Sequence, residues 1–446
     1  MKHLPRVPAK IFDGFLRSLQ IDEHDLEQLA KQSGWHKREP RKITAAGLLT
    51  ALCLESVQGD ASFNDLSSRL DFANDRTGPS RQGVSKRINS SFLKLLEQLL
   101  ARLINIKLND ANASTSAEMF PSYQRVLVQD SSIIRLPGWL FDKFSGVSNG
   151  QQQVCNARIQ VVYDIKSMAF VSFEICPYTK NDLKAAPELV LNKGDLALRD
   201  RGYLSASEIA RHGNAGAHCI YRHKTGVRYL DPDTHESLDL LGELRKKGSL
   251  DRTVLLNDQA RTPVRLVSAP VDKETAAHRR RKAKKEMHGH KPSAEVLALM
   301  DWTIFLTTLP QEEGDFKTLL KLYGLRWRIE IIFKTWKSHL NFDSLHRVSE
   351  VELKTLLTAR LLLITEGTNV LYRRCFLKIR ELYDRDLSLQ KFLKRLSRMP
   401  ELFGMIFQAF ESPSSEPLPV WEHLLRYCCY DKRTRKNFFD QCRDLP

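Results

Sequence analysis

An acidic side chain lies among basic and phenolic ones in the stretch from Tyr323 to Lys337. If this stretch is one helix, Tyr323, Glu330 and Lys337 recur every seven residues. Arg326, four residues before Glu330, then lies on the same face. Such a face suits a cleft in which the carboxylate binds a metal ion and the basic groups bind phosphates. A solvent-exposed ladder of salt bridges has the same spacing, so this stretch alone leaves both interpretations open.

Two further acids, Asp130 and Asp200, each end a short apolar run with high β propensity. Together with Glu330 they supply the three carboxylates that two-metal phosphoryl transfer requires, because three acids can bridge a pair of Mg²⁺ ions ~3.5–4 Å apart. One ion would activate a water or a 3′-hydroxyl, and the other would stabilise the departing oxygen. Either aspartate alone could instead be a turn former or a helix cap. The conjunction of all three favours catalysis.

The charge of the chain indicates its partner. Among 446 residues, 69 Lys and Arg outnumber 53 Asp and Glu, so the formal net charge is +16. Nucleic acid is the commonest partner for such an excess, although an anionic membrane would also attract it. The first residues lack the apolar run of a signal peptide, and no later run is long enough to span a bilayer. The eight cysteines show no CxxC pair, which predicts reduced thiols in a cytoplasmic protein.

The order of elements predicts a mixed α/β (α+β) protein with a ribonuclease-H-like core. Residues 1–115 have helical periodicity and end in a small-polar linker at 109–116, and residues 116–222 form the first part of the core. We expect a strand ending at Asp130 with a hairpin partner at 132–137, further strands at 157–163 and 168–175, a helix at 182–192, a strand ending at Asp200, and a helix at 205–211. In this architecture Asp130 and Asp200 lie side by side.

The interval 223–300 breaks the core pattern and is predicted to be an inserted, β-rich and basic subdomain. The core resumes at 301–345 with a strand and the helix that carries Glu330, and residues 346–446 form a helical C-terminal region. Two basic segments are candidates for DNA contacts, and either could instead be a solvated helix face. Their residues are Arg81, Lys86 and Arg87 in the first region, and Arg279, Arg280, Arg281 and Lys282 in the insertion.

Three motifs together resemble those of DDE transposases. They are Val128-Gln129-Asp130-Ser131-Ser132, Leu198-Arg199-Asp200-Arg201-Gly202-Tyr203, and the set Tyr323, Arg326, Glu330 and Lys337. The last set matches the signature Y-x2-R-x3-E-x6-K of the insertion-sequence-four branch at every step. The first motif departs from the pattern, since the family more often has Asp-Thr or Asp-Gly at this point. The resemblance covers about Val126 to Leu340.

The resemblance implies an enzyme that cuts and rejoins the ends of a mobile DNA element. Asp130, Asp200 and Glu330 would bind two Mg²⁺ or Mn²⁺ ions. Tyr323, Arg326 and Lys337 would grip phosphates near the cleaved end. The partners would be double-stranded DNA, as terminal inverted repeats and as target, bound by a homodimer, and the protein would associate with a bacterial nucleoid.

The same signature accompanies a route through a DNA hairpin, which water later reopens. Trp302 lies 28 residues before Glu330, where hairpin-forming relatives place a tryptophan that stacks on an unstacked base. A core position for Trp302 is an equal alternative, and we expect Trp327 and Trp336 to be core or packing residues. Two other functions stay open at this point: a DNA-binding protein that no longer cuts, and a structure-selective nuclease on the same fold.

Overall fold

The structure describes parts of every region that the sequence suggests. The computed structural model describes residues 16, 21–36, 42–58, 62–73, 78–106, 119–146, 154–179, 186, 188–286, 291–343, 348–399, 401–411, 418–431, 437–443 and 445–446. The predicted linker at 109–116 lies outside these residues.

One nine-stranded sheet has the order β3-β2-β1-β4-β5-β9-β8-β7-β6. Its strands are β1 (Val126–Arg135), β2 (Asn156–Asp164), β3 (Ala169–Pro177), β4 (Leu196–Arg199), β5 (His218–Arg222), β6 (Tyr229–Leu230), β7 (Leu250–Leu256), β8 (Pro263–Pro270) and β9 (Trp302–Thr307). β1, β2 and β3 form an antiparallel meander, and β4 and β5 continue the sheet parallel to β1. This topology is that of a ribonuclease-H-like core, and the predicted fold class is confirmed.

The sequence of the central strands explains their position. β4 reads Leu-Ala-Leu-Arg and is buried along its whole length, as expected for a parallel strand covered on both faces. β2 is buried at all but its first residue, because it lies between two antiparallel neighbours and under helices. The centre of the sheet is therefore rigid, which suits a site that must hold side chains at fixed separations.

Helices surround this sheet. They are α1 (Glu23–Gln32), α2 (Ala45–Gln58), α3 (Phe63–Ala73), α4 (Arg81–Arg87), α5 (Ser90–Asn105), α6 (Ala206–Asn214), α7 (Leu240–Lys247), α8 (Lys273–Glu286), α9 (Ala294–Leu299), α10 (Phe316–Gly324), α11 (Trp327–His339), α12 (Glu350–Thr365), α13 (Arg373–Tyr383), α14 (Leu389–Arg398), α15 (Glu401–Glu411), α16 (Pro419–Cys428) and α17 (Phe438–Arg443). A π-helical turn, Glu366–Tyr372, joins α12 to α13.

The two ends of the chain share one core. α12 packs on α2 and α5. The buried guanidinium of Arg360 on α12 donates to the carbonyl of Ser56 at 2.8 Å and to the carbonyl of Phe342 at 3.0 Å. In contrast, residues of β6 to β9 and α7 form a second apolar cluster. This cluster also includes Ile209 of α6 and Cys219 and Tyr221 of β5, so the inserted strands extend the sheet through β9 and share their apolar cluster with neighbouring core elements.

Three local predictions are wrong. β1 does not turn after Asp130; it continues to Arg135, and its antiparallel partner is β2. Residues 188–192 of the helix predicted at 182–192 are not helical; residues 180–185 and 187 lie outside the described chain. The helix predicted to carry Tyr323 and Lys337 is two helices, because α10 ends at Gly324 and α11 begins at Trp327.

Other predictions are confirmed. Ser205 caps α6, and its hydroxyl accepts the amide hydrogen of Glu208 at 3.2 Å. All eight cysteines are free and buried, as reduced structural thiols should be. Among the described helices, none is long and apolar enough to span a membrane.

Candidate active site

The register of the sheet places the two aspartates next to each other. The parallel pairing of β1 with β4 ends at Gln129 opposite Arg199, and the next residue on each strand is Asp130 and Asp200. Because side chains alternate along a strand, Gln129 and Arg199 are turned to the other face, where both are buried. Asp130 thus lies in the middle of β1 rather than at its end. Asp200 lies beside it because β4 ends one residue earlier, at Arg199.

Glu330 approaches this pair from the first turn of α11. The break before α11 is a tight turn, since the amide of Arg326 bonds to the carbonyl of Tyr323 at 3.1 Å, three residues back. The Arg326 guanidinium then reaches both sides of the site. Nη1 donates to Oδ2 of Asp130 and Nη2 donates to Oε1 of Glu330, each at 2.8 Å. A single buried cation therefore joins two of the three predicted carboxylates.

The pKa of Asp130 reports the same crowding. Burial is the main cause that raises this pKa, to about 6, and the negative charges of Asp200 and Glu330 raise it further. The charge of Arg326 and a hydrogen bond from the amide of Ser131 oppose the increase. Burial therefore dominates the pKa of Asp130, and Asp200 and Glu330 lie close enough to add to the increase.

Tyr323 contacts Arg326, and Lys337 contacts β1 three residues beyond Asp130. The Tyr323 ring is buried and packs 5.8 Å from the Arg326 guanidinium, and burial raises its pKa to about 12. Lys337 extends across β1, where Nζ donates to the carbonyl of Ile133 at 2.8 Å. The break between α10 and α11 therefore does not separate the set, because Arg326 in the turn links Tyr323 to Glu330.

One basic residue of this region was missed in the sequence. Arg222 ends β5, and because Leu198 pairs with Ile220, Arg222 lies level with Asp200. Its charge lowers the pKa of Tyr323 against the dominant effect of burial. The signal was available, since Arg222 ends an apolar run just as Asp200 does.

The tryptophans differ from expectation in part. Trp336 is a core residue, as predicted. Trp327 is not: 59% of its surface is exposed, and its ring lies 5.4 Å from the Arg326 guanidinium beside the acids. Trp327 is the first residue of α11 and faces solvent. A single continuous helix from Tyr323 to Lys337 would have turned it differently. Trp302 is half-buried at the start of β9, where its indole N–H donates to the carbonyl of Gly248 at 2.7 Å.

The basic run of the insertion divides into two groups on α8. Arg279 donates to the carbonyl of Trp302 at 3.0 Å and to Oγ1 of Thr303 at 2.9 Å, and Arg280 pairs with Asp301 at 2.5 Å. Arg281 and Lys282 are exposed. The first two thus tie α8 to β9, and the later positions face solvent.

The three N-terminal candidates for DNA contacts, Arg81, Lys86 and Arg87, all lie on α4. Ser80 caps this helix, and buried Val84 fixes its inner face. Arg87 packs 5.4 Å from the ring of Trp35, while Arg81 and Lys86 are exposed. The structure brings Asp130, Glu330, Arg326 and Tyr323 together, but it places these three basic residues on a separate helical unit.

The acids are suited to hard divalent cations, as their carboxylate oxygens are the ligands that Mg²⁺ prefers. Within the described chain, no group of three or more acids, histidines and cysteines is already converged as a metal site. The Arg326 guanidinium lies between Asp130 and Glu330 and forms an ion pair with each. The residues therefore fit a cation, provided that Arg326 withdraws from them.

Comparison with known proteins identifies the class. The family model described as the transposase DDE domain matches residues 121–365. The chain is 27% identical over 419 residues to the transposase for insertion sequence element IS231F of Bacillus thuringiensis subsp. israelensis, covering 88% of this chain and 84% of that protein. It is 21% identical over 415 residues to the transposase for IS1151 of Clostridium perfringens, covering 87% and 86%.

Two further similarities are more limited. The putative transposase InsL for IS186A of Escherichia coli (strain K12) is 31% identical over 211 residues, which cover 44% of this chain and 55% of that protein. Among solved structures, a piggyBac transposase synaptic complex with hairpin DNA has a TM-score of 0.45 and 10% identity, covering 98% of this chain and 88% of that chain.

The chain belongs to the DDE transposase family. It is an enzyme of DNA cleavage and strand transfer, and its relatives among insertion-sequence transposases agree with the insertion-sequence-four resemblance of its motifs.

Proposed function

We propose that this enzyme binds the terminal inverted repeats of an insertion sequence and moves it by two-metal-ion cleavage and strand transfer, through a hairpin intermediate. The observation that carries the proposal is the bridge of Arg326 between Asp130 and Glu330 at 2.8 Å on each side, with Asp200 adjacent to Asp130 by strand register. Three acids and one exchangeable cation at the centre of this fold suit the binding of divalent ions and phosphates.

Asp130, Asp200 and Glu330 would hold the two Mg²⁺ or Mn²⁺ ions. When bound, these ions would activate the attacking water or 3′-hydroxyl and stabilise the departing oxygen. Arg326 would then transfer its two N–H donors from the carboxylates to a phosphate, because a guanidinium binds both groups in the same fork geometry. Tyr323 would limit the directions in which Arg326 can turn.

The remaining contacts would position DNA. Lys337 would exchange the carbonyl of Ile133 for a phosphate, and Arg222 would contribute a second charge at the same level of the sheet. Trp302 would offer its exposed surface to an unstacked base while Gly248 holds its indole. We also propose that two copies act together on DNA, in the cytoplasm at the nucleoid.

More distant basic residues would bind the flanking duplex. They are Arg279, Arg280, Arg281 and Lys282 on α8, and Arg81, Lys86 and Arg87 on α4. Because Arg279 and Arg280 also bind residues at the start of β9, their contribution would be mainly to hold α8 in place.

Carboxylate-to-amide variants test the proposal. We expect Glu330→Gln and Asp200→Asn to bind terminal-repeat DNA normally and to cut it at least about 10³-fold more slowly in Mg²⁺, because the amide cannot replace a charged ligand. Glu381→Gln is a matched control, since Glu381 on α13 is exposed and pairs with Lys378 at 3.0 Å, away from the acids. Cleavage and binding are measured with end-labelled duplexes.

The products of the same assay separate the alternatives. A hairpin end appears on a denaturing gel as a strand of twice the length. Cutting by both amide variants at the normal rate would refute the proposed site. Absence of cutting by the unaltered protein on terminal repeats, even with Mn²⁺, would indicate a silent DNA-binding protein, and cutting at branches without terminal preference would indicate a structure-selective nuclease.

A further inference from the structure

The first turn of α11 begins with backbone hydrogen bonds of the 3₁₀ type. The amide of Arg328 bonds to the carbonyl of Leu325 at 2.9 Å, and the amide of Ile329 bonds to the carbonyl of Arg326 at 3.2 Å. These bonds span three residues rather than four, so the turn that carries Glu330 is not a continuation of α10. The side chains of this turn contact two different parts of the protein.

Two arginines provide those contacts on opposite sides of the turn. Arg326 faces the acids. Arg328 faces the interior, where only 5% of its surface is exposed. Its Nη1 donates to the phenol oxygen of Tyr430 at 3.3 Å, and its guanidinium carbon lies 4.3 Å from the ring centroid of Phe438. The second arginine thus connects the first turn of α11 to the C-terminal end of the described chain.

The surroundings of Arg328 are unusual for a buried charge. No carboxylate of the described residues forms an ion pair with it. Its neighbours include the phenols of Tyr430, Tyr372 and Tyr163. A buried cation without a carboxylate costs free energy that an apolar side chain of the same length would not. Filling of space in the core therefore does not by itself explain why an arginine occupies position 328.

The aromatic groups around Arg328 are themselves anchored. The amide of Tyr430 donates to the carbonyl of Asp386 at 3.0 Å. Oδ1 of Asp386 accepts hydrogen bonds from Nη1 of Arg380 at 2.8 Å and from Nη2 of Arg443, on α17, at 2.6 Å. α17 also carries Phe438, so both contacts of Arg328 rest on one network that includes α13 and α17. This network forms a firm support rather than a loose surface contact.

We infer that Arg328 is a positioning residue: held by Tyr430 and Phe438, it fixes the first turn of α11 so that Glu330 faces Asp130 and Asp200. The inference rests on the proposed metal-binding role of these acids. It assigns the C-terminal segment, which lies far from the three motifs in sequence, a direct part in the geometry of the active site. Displacements of about 1 Å at such a site reduce rates by as much as 10²-fold.

The experiment compares Arg328→Met, which keeps the length of the side chain, with Tyr430→Phe, which removes a single hydroxyl. Arg374→Met is the matched control, because Arg374 packs 4.1 Å from the ring of Phe410 and this packing does not involve α11. Mn²⁺ affinity without DNA is measured by electron paramagnetic resonance, and kcat and KM for a terminal-repeat duplex are measured below the melting temperature of each variant.

We expect Arg328→Met to weaken Mn²⁺ binding about tenfold and to lower kcat by about 10²-fold, with KM for DNA unchanged. Tyr430→Phe should show the same pattern with a smaller loss, and it serves as the test if Arg328→Met does not fold. Normal Mn²⁺ affinity and kcat in the folded variants, or equal losses in Arg374→Met, would overturn the inference. If the unaltered protein binds no Mn²⁺, the proposed function fails instead.

Discussion

Two buried arginines of this protein, Arg265 and Arg326, show how a structural ion pair differs from the candidate site. Arg265 on β8 is 8% exposed at its side chain, and all its donors are satisfied. Nε and Nη2 bond to Asp251 at 2.7 Å each, and the remaining hydrogens go to the carbonyls of Leu309, Pro310 and Gly314. The arrangement holds β7, β8 and the segment after β9 in place.

Arg326 is equally buried, with 9% of its side chain exposed, but it is incompletely satisfied. It gives one nitrogen to Asp130 and one to Glu330, and its Nε has no partner among the described residues. A guanidinium whose donors are all paired can only lose hydrogen bonds when it moves. A guanidinium shared between two carboxylates, such as that of Arg326, can instead turn both donors to one phosphate. Each donor that was paired then stays paired. We propose from this difference that Arg265 stabilises the fold and that Arg326 is available to a substrate.

The largest expected effect comes from removing each guanidinium. Arg326→Gln should reduce DNA cleavage by about 10²–10³-fold, since the reacting phosphate then has no guanidinium to bind it. Without metal it should also lower the free energy of unfolding, because Asp130 and Glu330 lose their shared partner. Arg265→Gln should destabilise the fold by about 3 kcal/mol, because it leaves Asp251 and three carbonyls unpaired. Cleavage kinetics and urea unfolding of both variants measure this. An equal loss of cleavage in folded Arg265→Gln would erase the distinction.

Metal affinity sharpens the comparison further. If Arg326 occupies the place of a cation, Arg326→Gln should bind Mn²⁺ about tenfold more tightly without DNA, because the two carboxylates lose their competing partner. Arg326→Lys should give an intermediate affinity, as one ammonium keeps the charge but cannot bridge both acids. Isothermal titration measures these affinities. Weaker binding by the Gln variant would show that Arg326 supports the metal site instead of competing for it.

The pH dependence of stability tests the environment of Asp130. Its pKa is raised to about 6 in the folded protein, mainly by burial, whereas an unfolded aspartate titrates near pH ~4. Its contribution to stability is therefore complete below pH ~4 and is lost as the pH rises through about 6. Without metal, unfolding should become easier by about 3 kcal/mol between these limits. Asp130→Asn should lack this decrease in urea titrations; an equal decrease would contradict the assignment.

The smallest expected effect concerns α8. Replacing Arg281 and Lys282 by Gln should flatten the dependence of log affinity on log salt by about 0.9 for each phosphate that is no longer neutralised. Arg280→Gln should leave this slope nearly unchanged, since Arg280 is engaged with Asp301. Binding to a terminal-repeat duplex at several salt concentrations measures both. An unchanged slope in the first variant would mean that this face of α8 is only solvated.

Much of the site follows from local sequence. An apolar run that ends in Asp200 predicts a buried strand with an acid at its carboxyl end, and β4 has that form. The spacing from Tyr323 to Lys337 predicts one polar face with the metal ligand between phosphate-binding groups. Arg326 does lie beside Glu330, because a separation of four residues brings side chains together even across the turn between α10 and α11.

Local patterns predict the wrong position for Asp130 within its strand. The run Val126–Val128 and the polar residues after it suggest a turn, but the antiparallel partner β2 extends the strand to Arg135. Pairing with a distant segment determines where a strand ends, and no local pattern contains that information. The prediction for Trp327 is wrong for a similar reason, since its exposure depends on the rotation of α11 relative to α10.

The sequence by itself determined the order of the core strands, the acid Asp200 that follows β4 and the basic surplus that suits DNA, because each depends on local propensity or on charge. Tertiary structure decided the rest: that Arg326 bridges Asp130 and Glu330, that Arg222 lies level with Asp200, that Arg279 is engaged with the start of β9, and that Arg328 rests on the C-terminal segment. These contacts join residues far apart in the chain, so their geometry arises only when the sheet and helices pack.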